Sequence, residues 1–439
     1  MHLKPTQILT LGFAITILVG ALLLNHPAAT TLNKSPGFIN ALFTATSAIC
    51  VTGLTVVDTG TYWSMLGKTV ILILIQIGGL GFMTTATMVF LLLGKKITLR
   101  ERLVIQEALN QFSISGVVRL VRYILLLTMI IEAFGAVFLS FRFIPQYGIS
   151  KGAFYSVFHS VSAFNNAGFD IMGDFKSLTQ YNEDILVNIV IMSLIILGGL
   201  GFSVLVDIIN NKSWNKISLH SKLVIFLTST LIVVGSIIIF ILEFNNPETL
   251  EPLSFSGQFI SSLFHAVSPR TAGFNTLPTD KLRHATQFFT MILMFIGGSP
   301  ASTAGGIKTT TFGVLLLTVW STVKGQEETV IYKRTIPTTI IFKSLAIISI
   351  SLILISIMTL ILTITEKAEF MAIIFEVFSA FGTVGLSLGL THELTILGKI
   401  LIIILMFTGR VGPLTLTLAF SIRAKKAKIK YPEEKILVG

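Results

Sequence analysis

Four short stretches, 47–54, 162–169, 267–274 and 379–386, each pass through small and polar residues to a glycine followed by Leu or Phe. Their cores read Val51-Thr52-Gly53, Asn166-Ala167-Gly168, Thr271-Ala272-Gly273 and Thr383-Val384-Gly385. The glycines stand roughly 105 to 115 residues apart, one in each quarter of the chain. Selecting an alkali cation requires oxygens that replace a hydration shell, and backbone carbonyls aimed at an axis supply them. Glycine admits the dihedrals that such a turn needs. A non-helical stretch at membrane depth persists only where it is buried or lines water. A single glycine of this kind reads as a helix-packing residue. Four of them, each nine or ten residues after a phenylalanine (Phe43, Phe158, Phe264, Phe375), read as a pseudo-fourfold ion filter.

The copies differ. The second carries Asn165 beside Asn166; the third carries Pro269 and Arg270 and is one residue shorter. Arg270 beside a cation path is expected to brace its loop rather than face the axis. A second glycine signature follows each filter segment: Gly78-Gly79-Leu80-Gly81, Gly198-Gly199-Leu200-Gly201, Gly297-Gly298-Ser299-Pro300 and Gly409-Arg410-Val411-Gly412-Pro413. Most of these glycines are expected to let helices approach closely. In the third copy, Gly297, Gly298, Ser299, Pro300, Ala301, Ser302, Thr303, Ala304, Gly305, Gly306 and Lys308 interrupt an apolar run with breakers and hydroxyls. A broken helix with a mobile loop beneath a filter is a gate. Arg410 is a charge inside the eighth apolar run; such charges face a partner or a pathway, here the carbonyls of the gate loop or the permeating ion.

Other polar residues carry less. His159, His265 and Glu376 follow pore-segment phenylalanines, where structural hydrogen bonding is expected. Asp58, Asp170 and Asp174 lie just beyond filter segments and could concentrate cations. Glu132 and Glu243 have no partner visible in sequence. Neither a metal-ligand spacing nor a nucleophile–base pair nor a phosphate loop stands out, so an enzyme is not expected.

The elements that position these residues are transmembrane helices. Of 439 residues, 53% are hydrophobic and only 12% charged, where soluble domains carry about 25% charge. Eight runs are long enough to span a bilayer: about 8–24, 68–93, 123–143, 185–209, 223–242, 285–320, 344–365 and 399–422. Between the members of successive pairs lie shorter segments, 38–48, 154–163, 259–268 and 371–380, suited to re-entrant pore helices. The expected fold is an all-α integral membrane protein of four parallel membrane–pore–membrane repeats around one pore: 1–118, 119–216, 217–340 with a broken second helix, and 341–439 with a basic tail. Parallel repeats differ from the inverted repeats of many carriers.

Lys and Arg concentrate in the inter-repeat loops and the tail, among them Arg102, Arg119, Lys216, Lys222, Lys324 and Lys426. By the positive-inside rule both termini are cytoplasmic and the glycine loops enter from outside. The net charge of +11 is therefore mainly topological and does not point to nucleic acid, although a basic tail could recruit anionic lipid. The single cysteine, Cys50, excludes an intramolecular disulfide. The first apolar run lacks a clear cleavage site and reads as a retained span.

The four loops, the broken sixth run with Gly-Gly-Ser-Pro-Ala-Ser-Thr-Ala-Gly-Gly-Ile-Lys from Gly297 to Lys308, and Gly409-Arg410-Val411-Gly412-Pro413 together resemble the Trk/Ktr/HKT superfamily of potassium transporters. The likeness covers essentially the whole chain and is strongest to the bacterial KtrB-type membrane subunit. It implies a bacterial cell-membrane potassium uptake subunit with the filter at Gly53, Gly168, Gly273 and Gly385, the gate at 297–311, and Arg410 beside it. It further implies a homodimer, a separate cytosolic nucleotide-binding regulatory ring subunit, and sodium stimulation. No cofactor is expected in this chain; potassium is the substrate. Two alternatives are a sodium-permeable pore and an alternating-access carrier. In plant relatives a serine at the first filter glycine accompanies sodium transport, and Gly53 is glycine here.

Overall fold

The computed structural model describes residues 4–92, 97–109, 116–413, 415–416, 432 and 434. The first quarter comprises α1 (Pro5–Leu24), α2 (Phe38–Ile49), the one-turn α3 (Thr59–Tyr62), α4 (Met65–Leu80) and α5 (Phe82–Leu92), followed by α6 (Leu99–Ala108). The second holds α7 (Val117–Tyr147), α8 (Ile149–Phe164), α9 (Ile185–Leu200) and α10 (Phe202–Asn210). The third holds α11 (Leu219–Glu243), α12 (Phe255–Val267), α13 (His284–Phe295) and α14 (Thr309–Val323); the fourth holds α15 (Thr338–Thr365), α16 (Phe370–Gly382) and α17 (Ile396–Val411). A long helix, a short helix, an irregular segment and an interrupted helix thus recur in that order.

The long helices α1, α7, α11 and α15 are each apolar enough to cross a membrane. Their outward faces stay uncovered: Leu18 and Leu22 on α1, and Ile353, Leu360 and Ile364 on α15, are exposed. Contiguous apolar exposure on this scale suits lipid rather than water. The short helices are the inverse case. Phe43, Phe158, Phe264 and Phe375 are buried within them, wrapped by the longer elements.

Two of the expected spans are not continuous. The run 68–93 divides into α4 and α5 with a 101° bend, and 185–209 into α9 and α10 with a 94° bend. The cause is local. Gly81 (φ 83°, ψ 142°) and Gly201 (φ 96°, ψ 137°) leave the helical region for dihedrals that a Cβ penalises. Gly412 (φ 93°, ψ 132°) ends α17 likewise, short of the expected end at 422. The end of that run and the basic tail lie outside the described residues. The glycine signature therefore serves as both packing surface and breakpoint.

Replacing Gly201 by alanine is expected to lower the thermal unfolding temperature in detergent more than the same change at Gly116. Both glycines have positive φ, but Gly116 opens onto space, whereas a Cβ at Gly201 would lie 2.5 Å from the Pro300 carbonyl oxygen. Backbone strain alone costs about 1–3 kcal/mol. Equal melting temperatures for the two variants would contradict the assignment of Gly201 as a packed breakpoint.

The sixth run is interrupted from Ile296 to Lys308, so Thr309–Thr311 begin α14 rather than belong to the loop. Three smaller differences concern local signals. The short helices are longer than the expected segments; α8 begins at Ile149. An antiparallel pair, Val330–Ile331 with Arg334–Thr335, forms a small hairpin in a fold expected to be all helical. Finally, α6 lies in what reads as a basic loop, and its start carries a legible signature: the Thr98 amide donates to Glu101 Oε2 at 2.7 Å, and the Glu101 amide donates to Thr98 Oγ1.

Candidate functional site

Each glycine segment follows the end of a short helix and repeats one backbone pattern. Val51, Asn166, Thr271 and Thr383 take positive φ, and two residues later so do Gly53 (90°), Gly168 (68°), Gly273 (79°) and Gly385 (95°). A serine in the last turn of each helix, or at its cap, holds the turn. The amides of Thr52, Ala167 and Val384 donate to the carbonyls of Ser47, Ser162 and Ser379 at 2.8 Å, and that of Ala272 to Ser268 at 2.9 Å. The serine hydroxyls act again further along: Ser47 and Ser379 accept from the amides of Gly53 and Gly385, while Ser162 and Ser268 donate to the carbonyls of Phe169 and Phe274. The shorter third segment is accommodated because its turn closes over four residues, Ser268 to Ala272, where the others close over five.

The four segments meet edge to edge. A Cβ on Gly53 would lie 2.6 Å from the Ala167 carbonyl oxygen, and one on Gly168 would lie 2.6 Å from that of Ala272. Those on Gly273 and Gly385 would press on the carbonyl oxygens of Val384 and Thr52. Each quarter's glycine thus abuts the carbonyl just before the next quarter's glycine, and the fourth returns to the first. Thr52, whose carbonyl abuts Gly385, also carries a buried hydroxyl oxygen without a hydrogen-bond partner among the described residues, whereas the Thr383 hydroxyl points back at Gly305. Such an array offers neutral oxygen donors and no ionised side chain, the chemistry suited to a weakly held, monovalent cation.

The glycine signatures of the following helices pack behind these segments. Gly78, Gly198 and Gly409 face the carbonyls of Ile49, Phe164 and Phe381, the fourth residue before each segment's glycine. In the third quarter Gly297 instead faces its own loop at Gly305. That loop is anchored on both flanks. Ile296 and Ile307 form a parallel bridge, and the Gly297 amide donates to the Ile307 carbonyl at 2.8 Å. Toward the second quarter, the Ser299 amide donates to Gly199 O at 2.9 Å, and the Phe202 amide donates to Ala301 O at 2.8 Å. Ser299 Oγ and Thr309 Oγ1 lie 2.9 Å apart. Toward the fourth quarter, Gly305 packs on Thr383 and Gly306 on Gly382, directly behind a ring segment.

Two basic side chains brace this loop, one from within it and one from α17. Lys308 Nζ donates to the Ala304 carbonyl at 2.7 Å, and the Arg410 guanidinium donates to the carbonyls of Thr303, Gly78 and Gly79. Arg410 joins the loop to the first quarter as well as to its own helix. Arg270 turns away from the ring: it is buried, with Nη2 donating to Thr228 Oγ1 of α11 at 3.2 Å.

The remaining polar candidates fall into place as local ties. His159 Nδ1 lies 2.7 Å from the Tyr155 carbonyl and His265 Nε2 lies 3.2 Å from Thr290 Oγ1, while Glu376 accepts from Ser387 and Thr391 beyond the fourth segment. Glu243, without a visible partner in sequence, accepts from Asn246, Thr249, Thr286 and the Arg283 amide, and so closes the third quarter's loop onto α13. Asp58 crosses to the second quarter, accepting from the Phe175 amide at 3.1 Å. Asp170 accepts from the Met172 amide, and Asp174 pairs with Lys176 on the exposed surface. Sequence reasoning did not mark Glu183, which ties the second quarter to the third by accepting from the Ser254 amide at 2.8 Å. Its hydrogen bonds with Ser254 hold its carboxyl below the ordinary range. Among the described residues, no group of three or more His, Cys, Asp or Glu side chains could hold a metal ion.

Helices of this length, apolar outside and polar at their convergence, define a multi-pass membrane protein. The chain belongs to the TrkH family of cation transport proteins, which it matches over residues 10–431. It is therefore a transporter of a non-enzymatic class. Among individual relatives, it is 50% identical to the Ktr system potassium uptake protein B of Bacillus subtilis, covering 100% of this chain and 98% of that protein. It is 43% identical to the potassium/sodium uptake protein NtpJ of Enterococcus hirae, with the same coverage. The KtrB-type likeness of the motifs thus extends over the full length. The crystal structure of the potassium transporter TrkH from Vibrio parahaemolyticus shares the fold, with a TM-score of 0.74 at 18% identity, over 95% of this chain and 84% of that one.

Proposed function

We propose that this chain is a bacterial potassium uptake subunit that passes cations through the ring of Gly53, Gly168, Gly273 and Gly385. Four membrane–pore–membrane repeats, 1–118, 119–216, 217–340 and 341–439, surround a single pseudo-fourfold pathway. The observation that carries this reading is the cyclic contact of each glycine with the carbonyl before the next. Val51, Thr52, Asn166, Ala167, Thr271, Ala272, Thr383 and Val384 supply the rest of the filter. The names of the relatives, potassium uptake and potassium/sodium uptake, support a monovalent cation as cargo. Flow needs no chemical fuel, since one charge crossing 100 mV gains about 2.3 kcal/mol.

The loop from Gly297 to Lys308, with Arg410, is the gate in this reading. It sits behind the fourth segment, and it is held by hydrogen bonds that can be exchanged for water. The positive-inside bias puts both termini in the cytoplasm and the glycine segments on the outside. A homodimer, regulation by a cytosolic nucleotide-binding subunit, contact of the basic tail with anionic lipid, and stimulation by sodium complete the proposal. A sodium-permeable pore is the second reading, favoured by the Enterococcus relative, a potassium/sodium uptake protein. Expressed in a bacterium stripped of its own potassium uptake systems, the chain is expected to restore growth at low external potassium. Failure to restore growth with the protein present in the membrane, together with its cytosolic partner, would contradict the potassium reading.

A further inference from the structure

The position three residues before each ring glycine is occupied by Cys50, Asn165, Arg270 and Gly382. All four lie behind the ring, and only Asn165 and Arg270 send polar side chains there. Arg270 reaches Thr228 on α11, the long helix of its own quarter. Asn165 reaches the corresponding long helix α7, but its partner is a carboxyl group buried in the middle of a membrane-spanning element, Glu132.

The Glu132 contacts form a closed triangle. Asn165 Nδ2 donates to Glu132 Oε1 at 2.8 Å and to Gln76 Oε1 at 3.0 Å, and Gln76 Nε2 donates to Glu132 Oε2 at 3.2 Å. The Glu132 backbone carbonyl also accepts from Ser160 Oγ of α8 at 2.6 Å. The triangle therefore joins three elements: α4 of the first quarter, α7, and the cap of the short helix α8 that leads into Asn166-Ala167-Gly168. Asn165 also packs on Gly79, whose carbonyl accepts from Arg410. A carboxyl group at membrane depth is costly to bury, and a partly satisfied buried network is more costly still. Glu132 has no packing advantage over leucine on a membrane helix; one of its oxygens is spent on Asn165, the residue that sets the second ring segment, and the other on Gln76, which itself accepts from Asn165.

Resting on the filter reading above, we infer that Glu132 is a positioning residue for ion selection. Its carboxyl group fixes Asn165, and through Asn165 it holds the second ring segment in register with Gly79 and Arg410. The mechanism is geometric. Without an acceptor at Glu132, the Asn165 amide loses its strongest lateral tie, and the Ala167 carbonyl that abuts Gly53 is freed to shift.

The test is the ratio of rubidium to sodium uptake by the full chain in liposomes, with the amount of folded protein read by size-exclusion chromatography. E132A and N165A are each expected to lower the ratio by roughly tenfold, equivalent to ~1.4 kcal/mol. The double variant is expected to be no worse than the worse single, because both remove one interaction. E132Q, which keeps an oxygen acceptor for the Asn165 amide, is expected to recover most of the ratio lost in E132A. A purely structural role would lower the folded amount and leave the ratio unmoved, which would overturn the inference. So would additive losses in the double variant, or an E132Q ratio as low as that of E132A. Should E132A not fold, N165A and E132Q carry the same test. The wild-type ratio separates the two readings: an unselective wild type fails the filter assignment, whereas a selective wild type with unaltered variants fails this inference alone.

Discussion

Aspartate in place of Gly53 or Gly273 is expected to reduce potassium uptake at low external potassium by more than tenfold, a rise of at least ~1.4 kcal/mol in the barrier to permeation. Three effects act in the same direction. At φ 90° and 79° any L side chain is strained, at a cost of about 1–2 kcal/mol. The Cβ has no space: at Gly53 it would lie 2.6 Å from the Ala167 oxygen and 3.1 Å from the Gly168 Cα, and at Gly273 it would press on Val384. A carboxylate at the ring then replaces neutral carbonyl coordination with a fixed charge, which favours tight binding over passage. Rubidium uptake in a transporter-deficient bacterium measures the effect. Unchanged uptake by membrane-inserted protein would show that these glycines do not line the path.

Deleting Ala301–Gly305 is expected to raise ion flux several-fold. These five residues hold most of the loop's outward ties. Ala301 O accepts from the Phe202 amide, Thr303 O accepts from Arg410, and the Thr303 amide donates to Gly198 O. Gly305 sets the loop against Thr383. Their loss removes the material behind the fourth ring segment while leaving α13 and α14 intact. The Phe202–Ala301 bond is neutral, about 0.5–1.5 kcal/mol, and the Arg410–Thr303 bond is charge-assisted, about 1.5–3 kcal/mol, so the deletion removes the loop's strongest anchor. Flux from liposomes measures the change. A wild-type rate in the deletion variant would remove the loop from the gating role.

The residues that converge at the ring were legible because their pattern is local and repeated. A short apolar segment with a phenylalanine, and a glycine nine or ten residues after it, recur four times, and the recurrence rather than any single copy marks the ring. The interruption at Pro300 was legible on its own, since proline cannot continue a helix. The bends at Gly81 and Gly201 were not, because Gly-Gly-Leu-Gly sits in unbroken apolar sequence and reads as a packing face. The breakpoints show only in the backbone dihedrals of Gly81 and Gly201 and, at Gly201, in the close approach of Pro300 from the neighbouring quarter. Glu132 shows the same limit from the other side. Its partners Gln76 and Asn165 lie 56 and 33 residues away, on elements brought together only by the arrangement of the quarters. Arg410 illustrates a partial success: its pairing with the loop follows from its place in an apolar run, while its hold on Gly78 and Gly79 does not.

In the proposed function the ring selects through backbone oxygens, and the loop with Arg410 controls passage through exchangeable hydrogen bonds. Competition among cations tests that division most directly. With the full chain reconstituted in liposomes, potassium and rubidium are expected to compete with each other for uptake far more effectively than sodium competes with either. Equal competition by sodium would contradict a potassium filter built from Gly53, Gly168, Gly273 and Gly385.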